Sequence, residues 1–425
     1  MKILHVIPSV SWLRGGTSFV VQALAQAQAR AGCTVHVATT DDDGPHAHLA
    51  VPLGQPVEQQ GVRYHYFARQ TGFYAASWPL AHWLDRNVGA YDLLHLHALF
   101  SFAALPAALS AARWKVPYVV MPHGTLSAWS LRQRRQWLKQ LSLALVERQI
   151  LGRAACIHYT SPQERREAEG LSLGRPAVVT PNPVEMPLEL IDRVRGQFRG
   201  AHPALDGRTL VLFLGRLDQK KGLDLLIAAF ARLRASHPAA ALLIAGAGEP
   251  AFIAELRGLV ERLGLAPHVH WLGFLEGEAK WAALADADLF ALPSRSENFA
   301  VAAVEAMAAG LPVLLSDQVG IQQEVAAAGA GLVVPCKLEP LAAGLARLAA
   351  DAGLRVTMGA AGRHLAARFA PQAVAQALLA LYAGVIAVPA YPPRRNRNMA
   401  RIDAMCAINY RIVGKNLVPY APDFD

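Results

Sequence analysis

The chain has 425 residues, of which 53% are hydrophobic and only 17% are charged. A disordered chain has few apolar residues and many charges, so this composition excludes disorder, and it equally excludes collagen-like and low-complexity fibres. At roughly 150 residues per domain, the length predicts two or three domains. The four cysteines lie far apart and form no Cys-x-x-Cys motif, which excludes a disulfide scaffold and a cysteine zinc site and favours the reducing cytoplasm.

The net charge of +9 is concentrated in two segments. Residues 131–153 carry a net charge of +5 and residues 394–401 carry +4, so the rest of the chain is neutral overall. In the first segment, basic and apolar residues alternate near Trp129 and Trp137, a pattern typical of an amphipathic helix on an anionic membrane surface. An ordinary solvated surface helix is the alternative. No helix-turn-helix, zinc-finger or RNP pattern occurs, so nucleic acid is not a predicted partner.

In the first half of the chain, short apolar runs alternate with longer amphipathic ones. The apolar runs predict strands over residues 3–7, 35–38, 93–96, 118–121, 156–159 and 178–179. The amphipathic runs predict helices near residues 18–31, 101–112, 131–151 and 161–169. Such alternation indicates βαβ units and a parallel sheet buried on both faces. The first run, which Pro8 interrupts, is too short for the apolar core of a signal peptide and predicts a buried strand.

A proline-rich segment, PNPVEMP at residues 181–187, interrupts this pattern, because proline fits neither a helix interior nor a central strand. We place the domain boundary near residues 185–205. The alternation then resumes, with strands predicted within 209–216, 240–248, 268–274, 288–294 and 312–317 and helices at 222–235, 251–263, 277–286 and 300–310. The predicted fold class is therefore α/β, with two doubly wound, Rossmann-like domains facing an interdomain cleft that binds a ligand.

These boundaries divide the chain into four parts. We predict an N-terminal domain over residues 1–190 and a C-terminal domain over 205–370. A terminal helix over 371–388 follows, for which a return to the N-terminal domain is one option, and 389–425 form a basic tail. A bilayer span needs about 20 apolar residues, and the uncharged stretch 370–393 falls short of this, so a packed helix is favoured over a membrane anchor.

The first candidate for binding chemistry is Gly15-Gly16, between the first strand and the first helix. Glycines let a backbone approach a phosphate, and the N-terminus of a helix supplies free N–H groups and a positive dipole. A dinucleotide fold would place G-x-G-x-x-G here, and this pattern is absent, which disfavours an NAD or FAD dehydrogenase. Two glycines in such a turn fit a structural role equally well.

The second candidate is GRLDQKKG, residues 215–222, which follows a buried strand. Arg216 ends the strand and Lys221 precedes the next helix, so two cations flank a glycine-containing turn. Such a pair suits a diphosphate, and it would stabilise negative charge on a departing diphosphate. Two ordinary surface cations are the alternative.

The third candidate lies in PSRSENFAVAAVEAMAAGLPVL, residues 293–314. Glu297 precedes the helix, and Glu305 lies on it among alanines, where an unpaired charge would be costly to bury. Carboxylates accept hydrogen bonds from vicinal hydroxyls, so these two fit a ribose and a sugar ring. The backbone N–H groups at the start of the helix would face an anion. These groups belong to Asn298, Phe299, Ala300 and Val301. A helix-face residue and a helix-start acid are the structural alternative for the two glutamates.

Together, these motifs resemble the donor domain of the GT-B glycosyltransferases, in particular glycosyltransferase family 4. The matching signature is the Glu-x7-Glu pair in SENFAVAAVEAMAAGLPVL, preceded by GRLDQKKG. The resemblance extends from Met1 to near Val385 and leaves the tail outside it. It implies a nucleotide diphosphate sugar as donor substrate, retention of the anomeric configuration, and no cofactor or metal ion.

The resemblance also implies roles for individual residues. Arg216 and Lys221 would hold the diphosphate, Glu305 the ribose hydroxyls and Glu297 the sugar hydroxyls. The backbone at 298–301 would lie near sugar and phosphate, and Gly15-Gly16 would supply the approach to the diphosphate from the N-terminal domain. MPHGTLSAWSL resembles a family segment whose histidine, here His123, faces the reacting sugar.

Three groups of potential metal ligands are interpreted as structural. Asp286-Ala-Asp288 resembles a D-x-D motif but falls between a predicted helix and strand. Asp41–Asp43 reads as a solvated turn, and His95-x-His97 shares one strand face without an evident third ligand.

We therefore expect a retaining glycosyltransferase, with Arg216, Lys221, Glu297 and His123 as its catalytic residues. The acceptor is expected to be a saccharide, in particular a lipid-linked one in bacterial surface-polysaccharide synthesis, handled by the N-terminal domain. The enzyme would be cytoplasmic, with peripheral attachment to the inner membrane face through residues 131–153. A GT-B nucleotide-sugar epimerase and a non-catalytic assembly subunit remain as alternatives.

Overall fold

The computed structural model describes residues 1–11, 13, 15–44, 46–72, 74–132, 136–387, 410–413 and 416–419. The chain forms two compact units. The first contains residues 1–183 together with the segment from Pro371 onward, and the second contains Val184–Ala370. The basic segment 394–401 lies outside the described residues, as do Arg134 and Arg135.

The first unit is built on an eight-stranded sheet. Its strands are β1 (Lys2–Ser9), β2 (Thr34–Thr40), β3 (Pro56–Gln59), β4 (Val62–Phe67), β5 (Leu93–His97), β6 (Tyr118–Met121), β7 (Cys156–Tyr159) and β8 (Ala177–Val179). The order across the sheet is β3-β4-β2-β1-β5-β6-β7-β8, and every pair is parallel except β3 with β4. The six predicted strands are confirmed. The β3–β4 hairpin was not predicted.

Helices connect these strands. They are α1 (Gly16–Arg30), α2 (Trp78–Asn87), α3 (Ala104–Trp114), α4 (Ala128–Arg132), α5 (Gln136–Ser142), α6 (Arg148–Arg153) and α7 (Pro162–Glu169). The predicted helix over 131–151 is confirmed over its described residues. Leu131 and Arg132 belong to α4, and from Gln136 onward α5, a π-helical turn at Leu143–Glu147 and α6 follow one another without interruption. Such π-turns occur often at functional sites.

The last long helix, α17 (Pro371–Ile386), packs onto the first unit. Val374, Leu378 and Tyr382 join a buried cluster with Ile3 of β1 and Leu24 of α1. This packing buries the apolar face of α17 against protein. Within the described part of the chain, no single helix is long and apolar enough to cross a membrane. One consecutive pair, residues 352–369 with 371–386, meets the length and hydropathy criteria only when its two members are taken together.

The second unit is built on a six-stranded, fully parallel sheet. Its strands are β9 (Leu210–Leu214), β10 (Ala241–Ala245), β11 (Val269–Gly273), β12 (Leu289–Leu292), β13 (Val313–Ser316) and β14 (Gly331–Val334). The order β11-β10-β9-β12-β13-β14 is the doubly wound arrangement, in which β9 and β12 flank the point where the connections reverse direction. Each of these strands except β14 was predicted.

The helices of this unit include the four that were predicted. The full set is α8 (Leu188–Val194), α9 (Gln197–Ala201), α10 (Leu223–Ser236), α11 (Pro250–Arg262), α12 (Gly277–Asp286), α13 (Val301–Ala309), α14 (Gln322–Ala328), α15 (Leu338–Ala350) and α16 (Ala352–Ala366). Near the chain terminus, β15 (Tyr410–Val413) and β16 (Asn416–Pro419) pair in antiparallel register.

Candidate functional site

In the second unit, the loops that follow β9 and β12 meet at one edge of the sheet. Strands β9 and β12 are direct neighbours, with Leu289 paired to Val211, and their helices leave on opposite faces of the sheet. Ligands of open α/β sheets bind at this edge. Gly222 makes the approach close, since an added Cβ would lie 2.2 Å from the carbonyl oxygen of Pro293. Its φ of 70° also favours glycine.

The approach of these loops pairs Lys221 with Glu297. The Nζ of Lys221 contacts Oε2 of Glu297, and the two side chains are 19% and 13% exposed. Burial opposes ionisation of Glu297, but the charges of Lys221 and Lys220 outweigh it, so the pKa of this carboxyl lies below its usual value. Burial also lowers the pKa of the Lys220 amine. The structure thus joins two predicted residues and adds Lys220, which was not predicted.

Backbone pairing holds Glu297 in place. Its N–H donates to the carbonyl of Gln318 at 3.0 Å, and its own carbonyl accepts from the N–H of Gly320 at 2.8 Å. Two residues earlier, Arg295 forms a bidentate pair with Asp224 at 2.6 and 2.8 Å. Because Asp224 opens helix α10, this pair ties the Glu297 loop to the element that follows Lys221.

Arg216 lies at the same edge but is less constrained. Its side chain is 66% exposed and lies 3.9 Å from Asp218. Its charge is close enough to contribute to the lowered pKa of Glu297. Asp218 is held in turn, since its carboxylate accepts from the N–H of Lys220 at 2.9 Å. Because the side chain of Arg216 is long and exposed, it can reach a ligand without disturbing the buried Lys221–Glu297 pair.

Helix α13 begins at Val301, four residues after Glu297. The predicted backbone run 298–301 reaches it at Val301, and Ala300 adopts a left-handed conformation with φ 77°. Phe299 is buried, with its ring 5.5 Å from that of Phe369. The side chain of Phe299 therefore anchors the loop, and only its backbone is available to a ligand.

Glu305 lies one turn into α13 and has a partner that was not predicted. Its Oε1 accepts from Nζ of Lys280 at 2.7 Å, and the side chains are 12% and 22% exposed. Lys280 lies on α12, and its ammonium also stands 4.8 Å from the ring of Trp281. The ammonium of Lys280 thus compensates the charge of Glu305, as expected for a carboxylate that lies among alanines.

In the first unit, Gly15 and Gly16 lie between β1 and α1 as predicted. Gly15 has φ 79° and ψ −150°, a conformation that essentially only glycine adopts, and Gly16 is the first helical residue. Apart from the adjoining residues and the backbone of α1 itself, no described atom lies within 4 Å of a Cβ added at either glycine. The turn therefore leaves open space beside the N-terminus of α1.

A cavity of about 400 Å³, within the size range of small-ligand sites, lies in the first unit. The loops after β1, β4 and β5 line it, and four of its lining residues have positive φ, which are Tyr74, Ala75, Ala98 and Phe100. Residues with strained backbone conformations are often found together at ligand-binding sites. The cavity was not predicted from the sequence.

Glu147 supports two walls of this cavity. Its Oε1 accepts from the hydroxyl of Tyr74 at 3.2 Å and from the N–H of Phe100 at 3.1 Å. The carboxylate is fully buried, and burial raises its pKa although these hydrogen bonds and one from Ser142 lower it. Glu147 ends the π-helical turn, so the turn and the cavity share one residue.

His123 follows β6 in a left-handed conformation, with φ 54°. The next residue, Gly124, donates its N–H to Oε1 of Glu164 at 2.5 Å, and the other carboxylate oxygen accepts from the N–H of Thr160 at 2.7 Å. Nε2 of His123 lies 3.1 Å from Nδ1 of His97. No other described residue forms a hydrogen bond with His123.

The carboxylates of the two acidic sequence groups, Asp286-Ala-Asp288 and Asp41–Asp43, have partners within the protein. Asp286 and Asp288 lie at the predicted helix–strand junction, where Arg199 contacts Asp288 at 2.8 Å and the N–H of Gly196 donates to Asp286 at 2.6 Å. The prediction of a solvated turn at Asp41–Asp43 is wrong. Asp42 is buried in a 2.5 Å pair with Arg69, which lies in the segment that follows β4.

The chain is similar to known proteins over most of its length. Residues 194–365 match the family Glycosyl transferases group 1, and residues 15–184 match the Glycosyl transferase 4-like domain. D-inositol 3-phosphate glycosyltransferase of Jonesia denitrificans is 31% identical, over 70% of this chain and 72% of the relative. GDP-mannose:cellobiosyl-diphosphopolyprenol alpha-mannosyltransferase of Xanthomonas campestris is 29% identical, over 79% and 83%.

The solved structures agree with this similarity. Sucrose-phosphate synthase from Thermosynechococcus elongatus superimposes with a TM-score of 0.71 at 25% identity, covering 91% of this chain and 99% of the other. The family resemblance carried by the Glu-x7-Glu motif is thereby confirmed. The chain belongs to the group 1 glycosyltransferases and has their two-domain GT-B fold.

Proposed function

We propose that this glycosyltransferase moves a sugar from a nucleotide diphosphate sugar to an acceptor hydroxyl, with retention of the anomeric configuration. The bond between the anomeric carbon and the diphosphate oxygen breaks, and a bond from that carbon to the acceptor oxygen forms on the same face. The acceptor proton passes to the departing diphosphate, so atoms and charges balance without a further reactant.

The observation that carries this proposal is the Lys221–Glu297 pair at the reversal point of the second sheet. Lys221 has three N–H donors, of which Glu297 engages one, so the amine can hold a phosphate oxygen as well. Glu297 stays ionised because its pKa is lowered, and an ionised carboxylate accepts hydrogen bonds from sugar hydroxyls. A diphosphate and a sugar ring therefore find complementary groups side by side.

The remaining donor residues extend this arrangement. Arg216, Lys220 and Lys221 supply positive charge to the leaving diphosphate, which is the main catalytic contribution in the proposal. Glu305 takes the ribose hydroxyls, with Lys280 keeping it ionised. Gly16 and His123 are assigned to the diphosphate and the reacting sugar by the family resemblance. With these cations present we propose that no metal ion is needed, and a chelator should leave the rate unchanged.

We propose that the acceptor binds in the cavity of the first unit. The volume of about 400 Å³ suits a sugar or inositol ring, and the hydroxyl-bearing residues Ser9, Thr17 and Ser18 are among those that line it. One relative is named for an inositol phosphate acceptor and another for a diphosphopolyprenol-linked one. The finer proposal is a lipid-linked saccharide in surface-polysaccharide synthesis.

A lipid-linked acceptor requires approach to a membrane, and the helical stretch from α5 through the π-helical turn to α6 offers a surface for it. Trp137, Leu141 and Leu145 repeat every four residues and are 67%, 50% and 59% exposed. Arg148 and Arg153 are exposed on the following helix. Exposed apolar groups beside cations are typical of peripheral binding to anionic lipid. We define Trp137, Leu141 and Leu145 as the apolar stripe.

Incubation of the purified full-length enzyme with a panel of uridine and guanosine diphosphate sugars tests the proposal. Release of nucleotide diphosphate should require both a donor and a lipid extract as acceptor, and the product linkage should keep the donor's anomeric configuration. Conversion of the donor alone into a different sugar nucleotide would instead establish an epimerase. Inversion of the configuration would refute the retaining mechanism while leaving the transfer intact.

A further inference from the structure

A continuous chain of hydrogen-bonded polar side chains runs from the partly exposed His123 into the buried core of the first unit. Its members, in order, are His123, His97, His5, Gln28, Tyr382, His95, His158 and the backbone carbonyl of Thr180. The seven links measure 3.1, 2.8, 2.7, 3.3, 2.7, 3.5 and 2.8 Å in that order. The chain crosses strands β1, β5 and β7 and includes helices α1 and α17, so residues far apart in sequence depend on one another.

The carbonyl of Thr180 sets the direction of every link. A carbonyl oxygen only accepts, so Nε2 of His158 must carry the proton, and Nδ1 of His158 must accept. Nε2 of His95 then carries a proton and its Nδ1 accepts. The hydroxyl of Tyr382 must therefore donate to His95, which leaves its oxygen to accept from the next member.

The same assignment of donors and acceptors extends from Tyr382 to His123. The amide nitrogen of Gln28 donates to Tyr382, so its oxygen faces His5 and accepts from Nε2 of that ring. Nδ1 of His5 accepts from Nε2 of His97, and Nδ1 of His97 accepts from Nε2 of His123. Each neutral imidazole has one donor and one acceptor nitrogen, so each ring in the chain can adopt only one tautomer.

The rings are neutral at physiological pH. Burial lowers the pKa of His5 and of His158 to about 4 and that of His123 to about 3. Burial and the neighbouring histidines also hold the pKa values of His95 and His97 well below the usual value. A single neutral tautomer at each position therefore satisfies all seven hydrogen bonds.

We propose that this chain fixes His123 as the Nε2–H tautomer, with Nδ1 as a lone-pair acceptor that no described residue engages. His123 then recognises a substrate hydroxyl by accepting its O–H, and it cannot donate to an oxygen from that nitrogen. The sugar as its target rests on the proposed function, whereas the tautomer does not. Tyr382, Gln28, His5 and His97 are positioning residues in this arrangement, because they act on substrate through His123.

A metal site is the competing interpretation, because ring nitrogens of His5, His95 and His97 lie within 4.8 Å of one another. Two histidine nitrogens bound to one tetrahedral zinc at 2.0–2.1 Å would lie about 3.3 Å apart. The nitrogens of His5 and His97 are 2.8 Å apart, and both rings face further hydrogen-bond partners on their other nitrogens. This geometry favours the hydrogen-bonded chain.

Two-bond ¹H–¹⁵N correlation spectra of the full-length protein, labelled at histidine and free of substrate, test the proposal. Single-histidine variants provide the assignments. Nδ1 of His123, His97, His5, His95 and His158 should each resonate as an unprotonated nitrogen, and Nε2 as a protonated one. Protonation of Nδ1 in His123 would overturn the proposal. A shift of these signals on adding Zn²⁺ alone would establish the metal site instead.

The Tyr382→Phe variant tests whether the hydrogen bonds of this chain depend on one another or are independent local contacts. Without the phenolic O–H, Gln28 can turn over, and the links on the His123 side can run in either direction. His5, His97 and His123 should then show tautomer averaging, while His95 and His158 stay fixed by Thr180. Gln28→Met should give the same pattern and serves if Tyr382→Phe does not fold. Unchanged spectra in a folded variant would overturn the proposal.

Tyr118→Phe is the matched control, because Tyr118 is equally buried and its hydroxyl donates to the carbonyl of Ile150 at 2.6 Å outside the chain. It should leave all five histidines unchanged. Equal population of the two directions in Tyr382→Phe would also lower kcat by about twofold, since half of the molecules would present the wrong nitrogen. Averaged tautomers with an unchanged kcat would refute the role of His123 toward the sugar while leaving the chain established.

Discussion

Lys221 and Glu297 form an ion pair although 76 residues separate them in sequence. Parallel strands β9 and β12 bring them together, because the carboxyl ends of neighbouring strands share one edge. The pair leaves Lys221 with N–H groups for a ligand and keeps Glu297 charged.

Replacement of Lys221 by Ala should lower kcat by roughly two to three orders of magnitude, the scale of losing one electrostatic donor to a leaving group. Arg216→Ala should act in the same direction. Arg232→Ala is the matched control, since Arg232 is also an exposed, paired arginine of this unit. Steady-state release of nucleotide diphosphate measures the effect. Near-normal rates for both Lys221→Ala and Arg216→Ala would remove their catalytic assignment.

A double-mutant cycle should reveal coupling between Lys280 and Glu305. Lys280→Met leaves a largely buried carboxylate without its cation, while Glu305→Gln removes the opposite charge. We expect a coupling free energy of about 1–2 kcal/mol in urea unfolding, because the second change relieves the charge stranded by the first. Strictly additive effects on the free energy of unfolding would show that the pair contributes nothing to stability.

Glu147→Gln should raise the KM for the acceptor without a comparable change in the KM for the donor. An NH₂ group in the place of Oε1 cannot accept from the Tyr74 hydroxyl or the Phe100 N–H, and in the place of Oε2 it is a buried donor without a described partner. Either orientation loosens the two cavity walls. We expect a rise of about tenfold, equivalent to one lost hydrogen bond. Glu169→Ala, an exposed glutamate of α7, is the control. An effect confined to the donor KM would contradict the assignment of the cavity.

Trp137→Ser should weaken binding to vesicles of anionic phospholipid by roughly tenfold, because partial burial of one aromatic side chain contributes about 1.5 kcal/mol. Trp78→Ser is the matched control, since Trp78 is also 67% exposed and lies outside the apolar stripe. Co-sedimentation at low and high salt measures both. Equal losses for the two variants, or no binding by the wild type at low salt, would exclude the stripe as the membrane surface.

Acid should destabilise the protein between pH 6.5 and about 4. The pKa values of His5 and His158 are lowered by burial from 6.5 to about 4, so in this window the unfolded chain binds protons that the folded chain does not. The free energy of unfolding therefore falls as pH falls, by up to about 1.4 kcal/mol per pH unit for each such histidine. Melting temperatures from pH 7 to 4.5 measure this, and a flat profile would contradict it.

The His158→Gln variant measures the contribution of His158 alone to this pH dependence of the free energy of unfolding. The glutamine amide can still donate to Thr180 and accept from His95, so the slope with pH should decrease by about 1.4 kcal/mol per unit while the fold persists. His202→Gln is the control, because His202 is exposed. An equal change of slope in both variants would show that burial of His158 is not the cause.

Much of the fold could be predicted from local pattern, because strands buried on both faces and amphipathic helices leave clear periodicities. The hydrophobic pattern is weaker at Val62–Phe67, where polar side chains interrupt the apolar ones. It is also weaker at Trp78–Asn87, where a proline lies in the first turn of the helix. Both elements were therefore missed. The π-helical turn at Leu143–Glu147 could not be predicted, because it changes the backbone hydrogen bonding without requiring a distinctive residue.

The site was predictable only where its residues lie close in sequence. Glu297 and Glu305 belong to one motif, and Arg216 and Lys221 to another. Lys280 pairs with Glu305 across two helices, and His5 meets His97 through the parallel register of β1 and β5. Tertiary packing decides such contacts, and nothing in the spacing of single residues specifies it. Tyr382 is the extreme case, 287 residues from His95.

The position of α17 has a consequence for synthesis of the chain. Its side chains complete a core that begins at Ile3, yet a ribosome produces them only after the entire second unit. Until then, the nascent first unit exposes the apolar surface of α1 and β1 that α17 later covers, which makes it a target for chaperones and for aggregation. A message truncated before residue 371 would therefore yield a product that is not a smaller working enzyme but an incompletely sealed one.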